Sequence, residues 1–261
     1  MSTRFEGRAA LVSGAASGIG AEVVRGLVAD GARVLALDVQ GAALDALARA
    51  CGCAAARCDV TNESAVRAAV ARACDDFGRL DIVVNAAGIV VSDDVADIDD
   101  AVWSRLLDVN LTGAMRVCRA ALPIMQEQHA GAIVNVASVA AFNASPGMAS
   151  YAAGKAGLVA LTRALAHRYG AQGVRANCLC PGWVRTPMSE QEMREAAQAN
   201  GSSVEAEFAA LGARIALGRV ASPDELARCA LFLASDDASF VTGAVLVADG
   251  GARMPASARA N

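Results

Sequence analysis

Tyr151, Lys155 and Ser138 are the residues whose types and spacing could transfer a proton. Tyr151 precedes Lys155 by four positions, so the two side chains share one face of a helix. An ammonium beside a phenol stabilises the phenolate and lowers the pKa of the phenol. Bringing that pKa from about 10 toward neutrality takes roughly 4 kcal/mol, which the ammonium and a positively charged cofactor ring could supply together. Ser138 supplies a hydrogen-bond donor, so the three groups could move a proton while a cofactor moves hydride. The Tyr-x-x-x-Lys spacing is also typical of an ordinary surface pair, so the surrounding elements must decide.

A glycine-rich segment near the N-terminus predicts a dinucleotide site. Residues 9–13 form a short apolar run typical of a buried parallel strand, and a helix pattern covers about residues 21–30. Between them, glycines allow a sharp turn, close approach of the backbone to a pyrophosphate, and tight packing of helix on sheet. Unpaired N–H groups and the positive dipole end at the helix start favour phosphates. The predicted contacts are Gly14, Ser17, Gly18, Ile19 and Gly20.

Polar residues also follow the next three predicted strands. Asp38 ends the apolar run 34–37, where a carboxylate can accept hydrogen bonds from the adenosine ribose. The same carboxylate repels a 2′-phosphate, and no cation beside it offsets the repulsion, so the predicted cofactor is NAD. Asp59 and Val60 follow the third strand, and residues 85–88 follow the fourth. Open α/β sheets bind ligands at such strand ends.

These motifs together resemble the short-chain dehydrogenase/reductase family from Ser13 to the Asp-Gly-Gly at 249–251. The resemblance implies an α/β fold with a doubly wound parallel sheet (Rossmann fold). It also implies an NAD-dependent oxidoreductase that interconverts a secondary alcohol and its ketone. The implied catalytic residues are Asn110, Ser138, Tyr151 and Lys155. In this scheme Tyr151 exchanges the proton, Ser138 binds the substrate oxygen, and Lys155 reaches the nicotinamide ribose. Asn110 kinks a helix and holds a proton-relay water.

The resemblance assigns further cofactor contacts. Residues 181–186 match the family segment that holds the nicotinamide carboxamide, through the backbone of Val184 and the hydroxyl of Thr186. The implied contacts beyond the glycine-rich segment and Asp38 are Asp59, Val60, Asn85, Ala86, Gly88, Tyr151, Lys155, Pro181, Gly182, Val184 and Thr186. The chain departs from the family pattern at Ser13, Ala86 and Gly154. A glycine inside a helix costs up to ~1 kcal/mol relative to alanine, so Gly154 indicates close packing.

Composition and organisation limit the other classes of function. Strands and helices alternate through all 261 residues without a Pro/Ser-rich linker, which predicts one domain over residues 1–261. A net charge of −4 argues against nucleic acid or an anionic membrane as partner. No signal peptide precedes the first strand, so a cytoplasmic protein is expected. Residues 130–154 carry no charge, a length that could suggest a membrane span. The Pro-Gly pair at 146–147 would break a membrane helix, so a strand and a site loop are expected instead.

Cysteine and histidine usage predicts neither a metal site nor a hydrolase. The eight cysteines are interpreted mostly as buried thiols, because the Cys-x-Cys spacings at 51/53 and 178/180 are not the usual zinc loop. His129 and His167 are isolated near predicted helix ends, which leaves a Ser/His/Asp hydrolase without a base.

The segment from about 187 to 217 is rich in helix formers and charge and is predicted to form a helical substrate lid. Its glutamates outnumber its arginines, which predicts a negative surface that does not attract an anionic substrate. The side chains expected to line an apolar pocket are Phe142, Met148, Trp183 and Met188. A neutral secondary alcohol or ketone is therefore the favoured small-molecule substrate.

Three classes of function stay open at this point: an NAD-dependent alcohol dehydrogenase, a 3-oxoacyl carrier-protein reductase, and a non-catalytic nucleotide-binding scaffold. The complete catalytic set disfavours the scaffold. Asp38, and the absence of a cation around residues 126–128 and Gln172, disfavour the carrier-protein reductase. The apolar helices around 100–128 and 150–170 predict subunit contacts, and the resemblance implies a homotetramer, less often a dimer.

Overall fold

The structure is a computed structural model that describes residues 3–252. Within these residues, seven strands form one parallel sheet in the order β3-β2-β1-β4-β5-β6-β7. The strands are β1 (Ala9–Ser13), β2 (Arg33–Asp38), β3 (Ala54–Arg57), β4 (Ile82–Asn85), β5 (Gly131–Val136), β6 (Val174–Pro181) and β7 (Val245–Ala248). The order reverses between β1 and β4, and the crevice outside the strand ends at such a switch point is where open α/β sheets bind ligands.

The helices that connect these strands cover both faces of the sheet. They are α1 (Gly18–Ala29), α2 (Gly41–Cys51), α3 (Glu63–Phe77), α4 (Asp100–Leu107), α5 (Ala114–Glu127), α6 (Ala149–Tyr169), α7 (Pro187–Asn200), α8 (Val204–Gly212) and α9 (Pro223–Ala234). This arrangement confirms the predicted doubly wound α/β fold.

The core divides into two layers because alternate residues of a strand face opposite sides of the sheet. Val12 packs with residues of α1 and α9, whereas Leu11 packs with residues of α3 and α5. All five residues of β1 are buried, as expected for a strand with helices on both faces. The two hydrophobic layers cover both faces of the sheet. The loops at the carboxyl ends of the strands are therefore left to form a binding site.

A π-helical turn, Asp108–Gly113, joins α4 to α5 and contains Asn110. π-helical turns inside α-helices often occur at functional sites. Gly113 lies against Val60, where a β-carbon would come within 2.7 Å of a valine methyl carbon. The turn therefore packs closely against the loop after β3.

The uncharged stretch 130–154 lies in β5, a 3-10 turn at Val139–Ala141, a loop, and the start of α6. Across residues 3–252, no helix is both long enough and apolar enough to cross a membrane.

The β1–α1 turn allows a direct test of why glycine is required there. Gly14 has φ +68°, and a β-carbon on it would lie 2.5 Å from the backbone nitrogen of Ala87. Gly52 has nearly the same φ, +71°, but no atom within 4 Å of a β-carbon. We expect Gly52→Ala to lower the free energy of unfolding by about 1 kcal/mol through backbone strain. Gly14→Ala should cost about 1–3 kcal/mol more, because the backbone at residues 86–87 must shift. Equal losses in urea unfolding would contradict the close-approach explanation.

Candidate active site

A single long cleft runs along the carboxyl ends of the strands and has a volume of about 1240 Å³. Its walls come from the turns after β1, β2, β3, β4, β5 and β6, and from the first turns of α7. The glycine-rich segment and the serine, tyrosine and lysine of the predicted catalytic set all line it. The fold therefore brings together segments that are more than 100 residues apart in the sequence.

The glycine-rich turn forms a cradle at the start of α1. Gly18 has φ +54°, and a β-carbon on Gly20 would lie 2.0 Å from the carbonyl oxygen of Gly14. Ser17 is the N-cap of α1 but makes no side-chain cap hydrogen bond, and the first turn holds no acidic residue. The first N–H groups of α1 are thus left for an anion, which fits a pyrophosphate.

Asp38 stands at the end of β2 and lines the same cleft. One of its carboxylate oxygens accepts a 2.9 Å hydrogen bond from the backbone nitrogen of Ala16, and the other accepts one of 2.9 Å from Gln40. Arg57 neighbours Asp38 in the sheet but is not among the residues that line the cleft. The carboxylate is therefore fixed in orientation and keeps lone pairs for hydroxyl donors.

Asp59 and Val60 line the cleft at the end of β3. The backbone N–H and the hydroxyl of Thr61 donate to the Asp59 carboxylate at 2.9 and 2.8 Å. The backbone hydrogen bond, followed by the hydroxyl, lowers the pKa of Asp59, which keeps it ionised. The charge of Arg105, which also lines the cleft, contributes to this lowering of the pKa. Arg105 therefore lies in the part of the cleft that contains Asp59.

Of the three predicted cofactor contacts at the end of β4, two line the cleft and one does not. Ala86 and Gly88 line the cleft, and a β-carbon on Gly88 would lie 3.3 Å from the Lys155 nitrogen. Asn85 is buried and does not line the cleft; its amide nitrogen donates to Asn135 at 2.8 Å. Asn135 in turn donates to Thr162 of α6, so these amides link two strands to the helix that carries Tyr151.

Ser138, Tyr151 and Lys155 meet in the middle of the cleft. Ser138 follows β5 and shares a side-chain hydrogen bond with the Tyr151 phenol. The Lys155 nitrogen lies 5.6 Å from the centroid of the Tyr151 ring and donates to the carbonyl oxygen of Val136 at 2.9 Å. α6 therefore presents Tyr151 and Lys155 on one face, toward the end of β5.

Burial shifts the pKa of both members of this pair. It raises the pKa of Tyr151 to about 12, although the hydrogen bond with Ser138 opposes the shift. Burial also lowers the pKa of Lys155 to about 8. The expected lowering of the phenol pKa by Lys155 together with a positively charged nicotinamide concerns the protein with its cofactor bound and stays a prediction. Both residues are shifted toward their neutral forms.

Asn110 lies behind the cleft rather than in its wall. It is buried in the π-helical turn, and its amide makes two 2.9 Å hydrogen bonds with the backbone of Ile89, one as donor and one as acceptor. Gly154 packs on this turn, since a β-carbon there would lie 3.3 Å from the Asn110 β-carbon. The side chain of Asn110 thus holds the loop after β4 beside α6.

Asp93 is a positioning residue that the sequence analysis missed. It is buried, and its carboxylate accepts hydrogen bonds from the backbone nitrogens of Ala149 and Ser150, at 2.7 and 2.9 Å, and from the Ser150 hydroxyl. Burial alone raises the pKa of Asp93, but these hydrogen bonds outweigh it, so the net pKa is lowered. An ionised Asp93 therefore caps the first turn of α6, the turn that contains Tyr151. Because 56 residues separate Asp93 from Ala149, no local motif indicates the contact.

Residues 181–186 connect β6 to α7, and Pro181, Gly182, Val184 and Thr186 all line the cleft. The Thr186 hydroxyl accepts from the backbone nitrogen of Ser189 as the N-cap of α7. A β-carbon on Gly18 would lie 3.1 Å from the Thr186 methyl carbon. Thr186 therefore touches the dinucleotide cradle, and its hydroxyl keeps a proton to donate.

The segment predicted as a lid contains α7 and α8, and several of its outward-facing glutamates pair with arginines or accept hydrogen bonds from neighbouring side chains. Arg185 pairs with Glu190 at 2.7 Å and with Glu205, and lies 4.6 Å from the ring centroid of Phe208. These pairs are at the outer surface. Of the glutamates in this segment, only Glu192 lines the cleft, among residues 3–252.

The apolar wall is also smaller than predicted. Met148, Trp183 and Met188 line the cleft, whereas Phe142 does not and is 47% exposed. All eight cysteines are free thiols, and no group of three or more His, Cys, Asp or Glu side chains in residues 3–252 is arranged to hold a metal ion.

The protonation of Lys155 can be measured directly because Lys155 is the only lysine of the chain. We expect a single ¹³Cε-lysine NMR resonance that titrates with a pKa of about 8 in the cofactor-free protein, because burial disfavours the ammonium. The unfolded chain keeps this proton up to the usual 10.5, so it binds more protons than the folded state between those values. This group therefore makes folding more favourable as the pH rises through that window. A titration near 10.5 in the folded protein would contradict the burial argument.

Comparison with known proteins places this geometry in a family. The family model described as enoyl-(acyl carrier protein) reductase, adh_short_C2, matches residues 14–253. Galactitol 2-dehydrogenase (L-tagatose-forming) from Cereibacter sphaeroides is 41% identical over 95% of this chain and 96% of its own. The 3-oxoacyl-[acyl-carrier-protein] reductase FabG from Thermotoga maritima is 36% identical over 95% of this chain and 98% of its own.

The fold comparison agrees. The crystal structure of levodione reductase superposes with a TM-score of 0.90 at 33% identity, covering 95% of this chain and 98% of that chain. The chain therefore belongs to the short-chain dehydrogenase/reductase family, oxidoreductases that act on hydroxyl and keto substrates with a nicotinamide cofactor.

Proposed function

We propose that this protein uses NAD to interconvert a secondary alcohol and the corresponding ketone, with Tyr151 as the acid and base. One observation carries the proposal. Ser138, Tyr151 and Lys155 converge in the cleft that also holds a glycine cradle at the start of α1. The site thus joins a proton-transfer group to a place for a pyrophosphate, which is what hydride transfer to or from a bound dinucleotide requires.

The cradle residues 14–20 and Asp38 would hold the adenosine and pyrophosphate part of the cofactor, and residues 181–186 the nicotinamide part. When bound, the nicotinamide accepts or supplies the hydride. All other steps fall to the protein. Ser138 donates a hydrogen bond to the substrate oxygen and fixes the reacting carbon.

Tyr151 moves the proton. In ketone reduction the phenol, which is un-ionised at neutral pH with a pKa of about 12, donates its proton to the oxygen as charge develops on it. In alcohol oxidation the phenolate takes the hydroxyl proton. The Lys155 ammonium, 5.6 Å from the ring centroid, is charged at pH 7 because its pKa is about 8. It stabilises the phenolate by opposite-charge attraction, so Lys155 supports the direction that needs the ionised tyrosine.

The preference for NAD rests on Asp38. Its carboxylate is held by Ala16 and Gln40 at the edge of the cleft, where a ribose 2′-hydroxyl can donate to it. A 2′-phosphate at the same place would meet a fixed negative charge. Arg57, the neighbouring cation in the sheet, is outside the cleft wall.

The relatives' names are consistent with a substrate that carries a secondary hydroxyl. Galactitol 2-dehydrogenase, by its name, acts on a polyol, and a relative from Sinomonas cyclohexanicum is named for a cyclic hydroxy acid. We therefore place polyols and cyclic secondary alcohols first among candidate substrates.

A carrier-protein reductase is the second candidate, favoured by the description of the family model and by the Thermotoga maritima relative. An acidic carrier protein needs cations near the mouth of the cleft. The end of α5, where Gln126 pairs with Gln172, lies beside the amino end of β5 and not at the cleft, so the expected absence of a cation there does not bear on this candidate. Assaying oxoacyl thioesters beside alcohols, with NAD(H) and NADP(H), separates the two functions.

The role of Tyr151 is tested by removing its hydroxyl. We expect Tyr151→Phe to lower kcat/KM for the best alcohol by about 10²–10⁴-fold, because the proton loses its acceptor. Tyr169→Phe is the matched control, since Tyr169 is the other tyrosine of the chain and lies at the end of α6, outside the cleft wall. Thermal unfolding checks that both variants fold. A folded Tyr151→Phe protein with wild-type turnover would rule out this acid and base.

The role of Asp38 is tested by removing its charge while keeping an acceptor oxygen. We expect Asp38→Asn to lower the NAD to NADP ratio of kcat/KM by about tenfold or more, because a like-charge contact costs several kcal/mol when it is desolvated. Asp45→Asn, on the exposed face of α2, should leave the ratio unchanged. A ratio that stays the same in Asp38→Asn would show that another group selects the cofactor.

A further inference from the structure

Glu192 is set apart from the other acidic side chains of residues 187–217 by the direction it faces. Met188 and Glu192 are four positions apart on α7 and both line the cleft. Met193 and Ala197 are buried, so packing of α7 fixes the rotation that turns Glu192 inward. The carboxylate is near enough to Tyr151 for its charge to raise the phenol pKa.

Glu192 also differs in its lack of partners. The outer acids all have one: Glu190 and Glu205 pair with Arg185, Glu195 accepts from Gln191, and Glu207 accepts from Ser202 and Asn200. Glu192 accepts no hydrogen bond and makes no ion pair with any residue in 3–252. It is nevertheless partly buried, and this burial, followed by the charge of Glu195, raises its pKa. A half-buried carboxylate without a donor is costly unless a ligand supplies one.

The surrounding charges indicate which ligand suits it. Two cations line the cleft in the described part of the chain, Arg105 and Lys155. Arg105 acts on Asp59 at the β3 end, and Lys155 donates to Val136. The loop between Ser138 and Tyr151 adds the neutral polar side chains of Asn143 and Ser145 to the wall. The substrate end therefore holds a carboxylate and neutral hydrogen-bonding groups, without a cation for a substrate anion.

We propose that Glu192 selects polyhydroxylated substrates by accepting a hydrogen bond from a second hydroxyl, next to the carbinol that Tyr151 deprotonates. This inference rests on the proposed alcohol dehydrogenase function and narrows its substrate class. A carboxylate has two oxygens and can accept from hydroxyls on adjacent carbons, and such charge-assisted hydrogen bonds are stronger than neutral ones. The same charge excludes substrates that carry a carboxylate close to the reacting carbon.

Matched alcohols test the proposal. The wild-type protein, Glu192→Ala, Glu192→Gln and the control Glu195→Gln are assayed with NAD on cyclohexanol and on cyclohexane-1,2-diol. Glu195→Gln removes the same charge from an exposed position of the same helix. The readout is the ratio of kcat/KM for the diol to kcat/KM for cyclohexanol, because a general effect on Tyr151 cancels in that ratio.

We expect the wild type to prefer the diol and Glu192→Ala to lower the ratio about tenfold or more, with Glu192→Gln between them. The control should keep the wild-type ratio. A second pair, 2-hydroxycyclohexanecarboxylate and its methyl ester, tests the charge: Glu192→Gln should raise the relative kcat/KM of the acid. A ratio that is unchanged in Glu192→Ala, or a wild type that does not favour the diol, would overturn the proposal. A wild type that oxidises neither these four alcohols nor galactitol with NAD would instead refute the dehydrogenase function on which it rests.

Discussion

The burial of one ammonium group is the constraint on which the site depends. Lys155 is 4% exposed, and its donor contact is the carbonyl oxygen of Val136, at the end of β5. A buried ammonium is costly unless acceptors replace its water, and two glycines leave room for the lysine to reach its acceptor. A β-carbon on Gly88 would lie 3.3 Å from the ammonium, and Gly154 lets α6 approach the π-helical turn. These two glycines, one in the loop after β4 and one on α6, thus let the lysine lie beside the tyrosine.

Buried amides and one buried carboxylate hold these elements in place. Asn110 fixes the loop after β4, Asp93 caps α6, and Asn135 connects β4 through β5 to Thr162. These hydrogen bonds limit how far α6 can slide on the sheet, although the side-chain oxygen of Asn85 in the same network is buried without a partner. Proton transfer needs hydrogen-bond distances between donor and acceptor. The buried network therefore matters for catalysis because it keeps Tyr151 in position.

Local patterns predicted the fold and the dinucleotide end of the cleft, and the family resemblance added residues 181–186 and the catalytic set. Some patterns can be recognised from neighbouring residues alone. They are the apolar runs, the glycines after β1 and the acidic residues at strand ends. β1, α1 and Asp38 could therefore be placed from the sequence. Contacts between distant segments carry no such pattern. Asp93 caps a helix that begins 56 residues later, and the inward face of α7 is set by packing of Met193, so neither the cap nor the orientation of Glu192 was predicted. The pKa shifts of Tyr151 and Lys155 could not be predicted from the sequence either, because helix spacing gives the proximity of the two groups but not the dehydration of each.

Thr186 links the two ends of the cleft. Its hydroxyl begins α7 and its methyl group rests on Gly18, so the helix that carries Glu192 and the turn that cradles phosphate share one contact point. A dinucleotide bound at the turn would therefore also lie against the N-cap residue of the helix that faces the substrate end of the cleft.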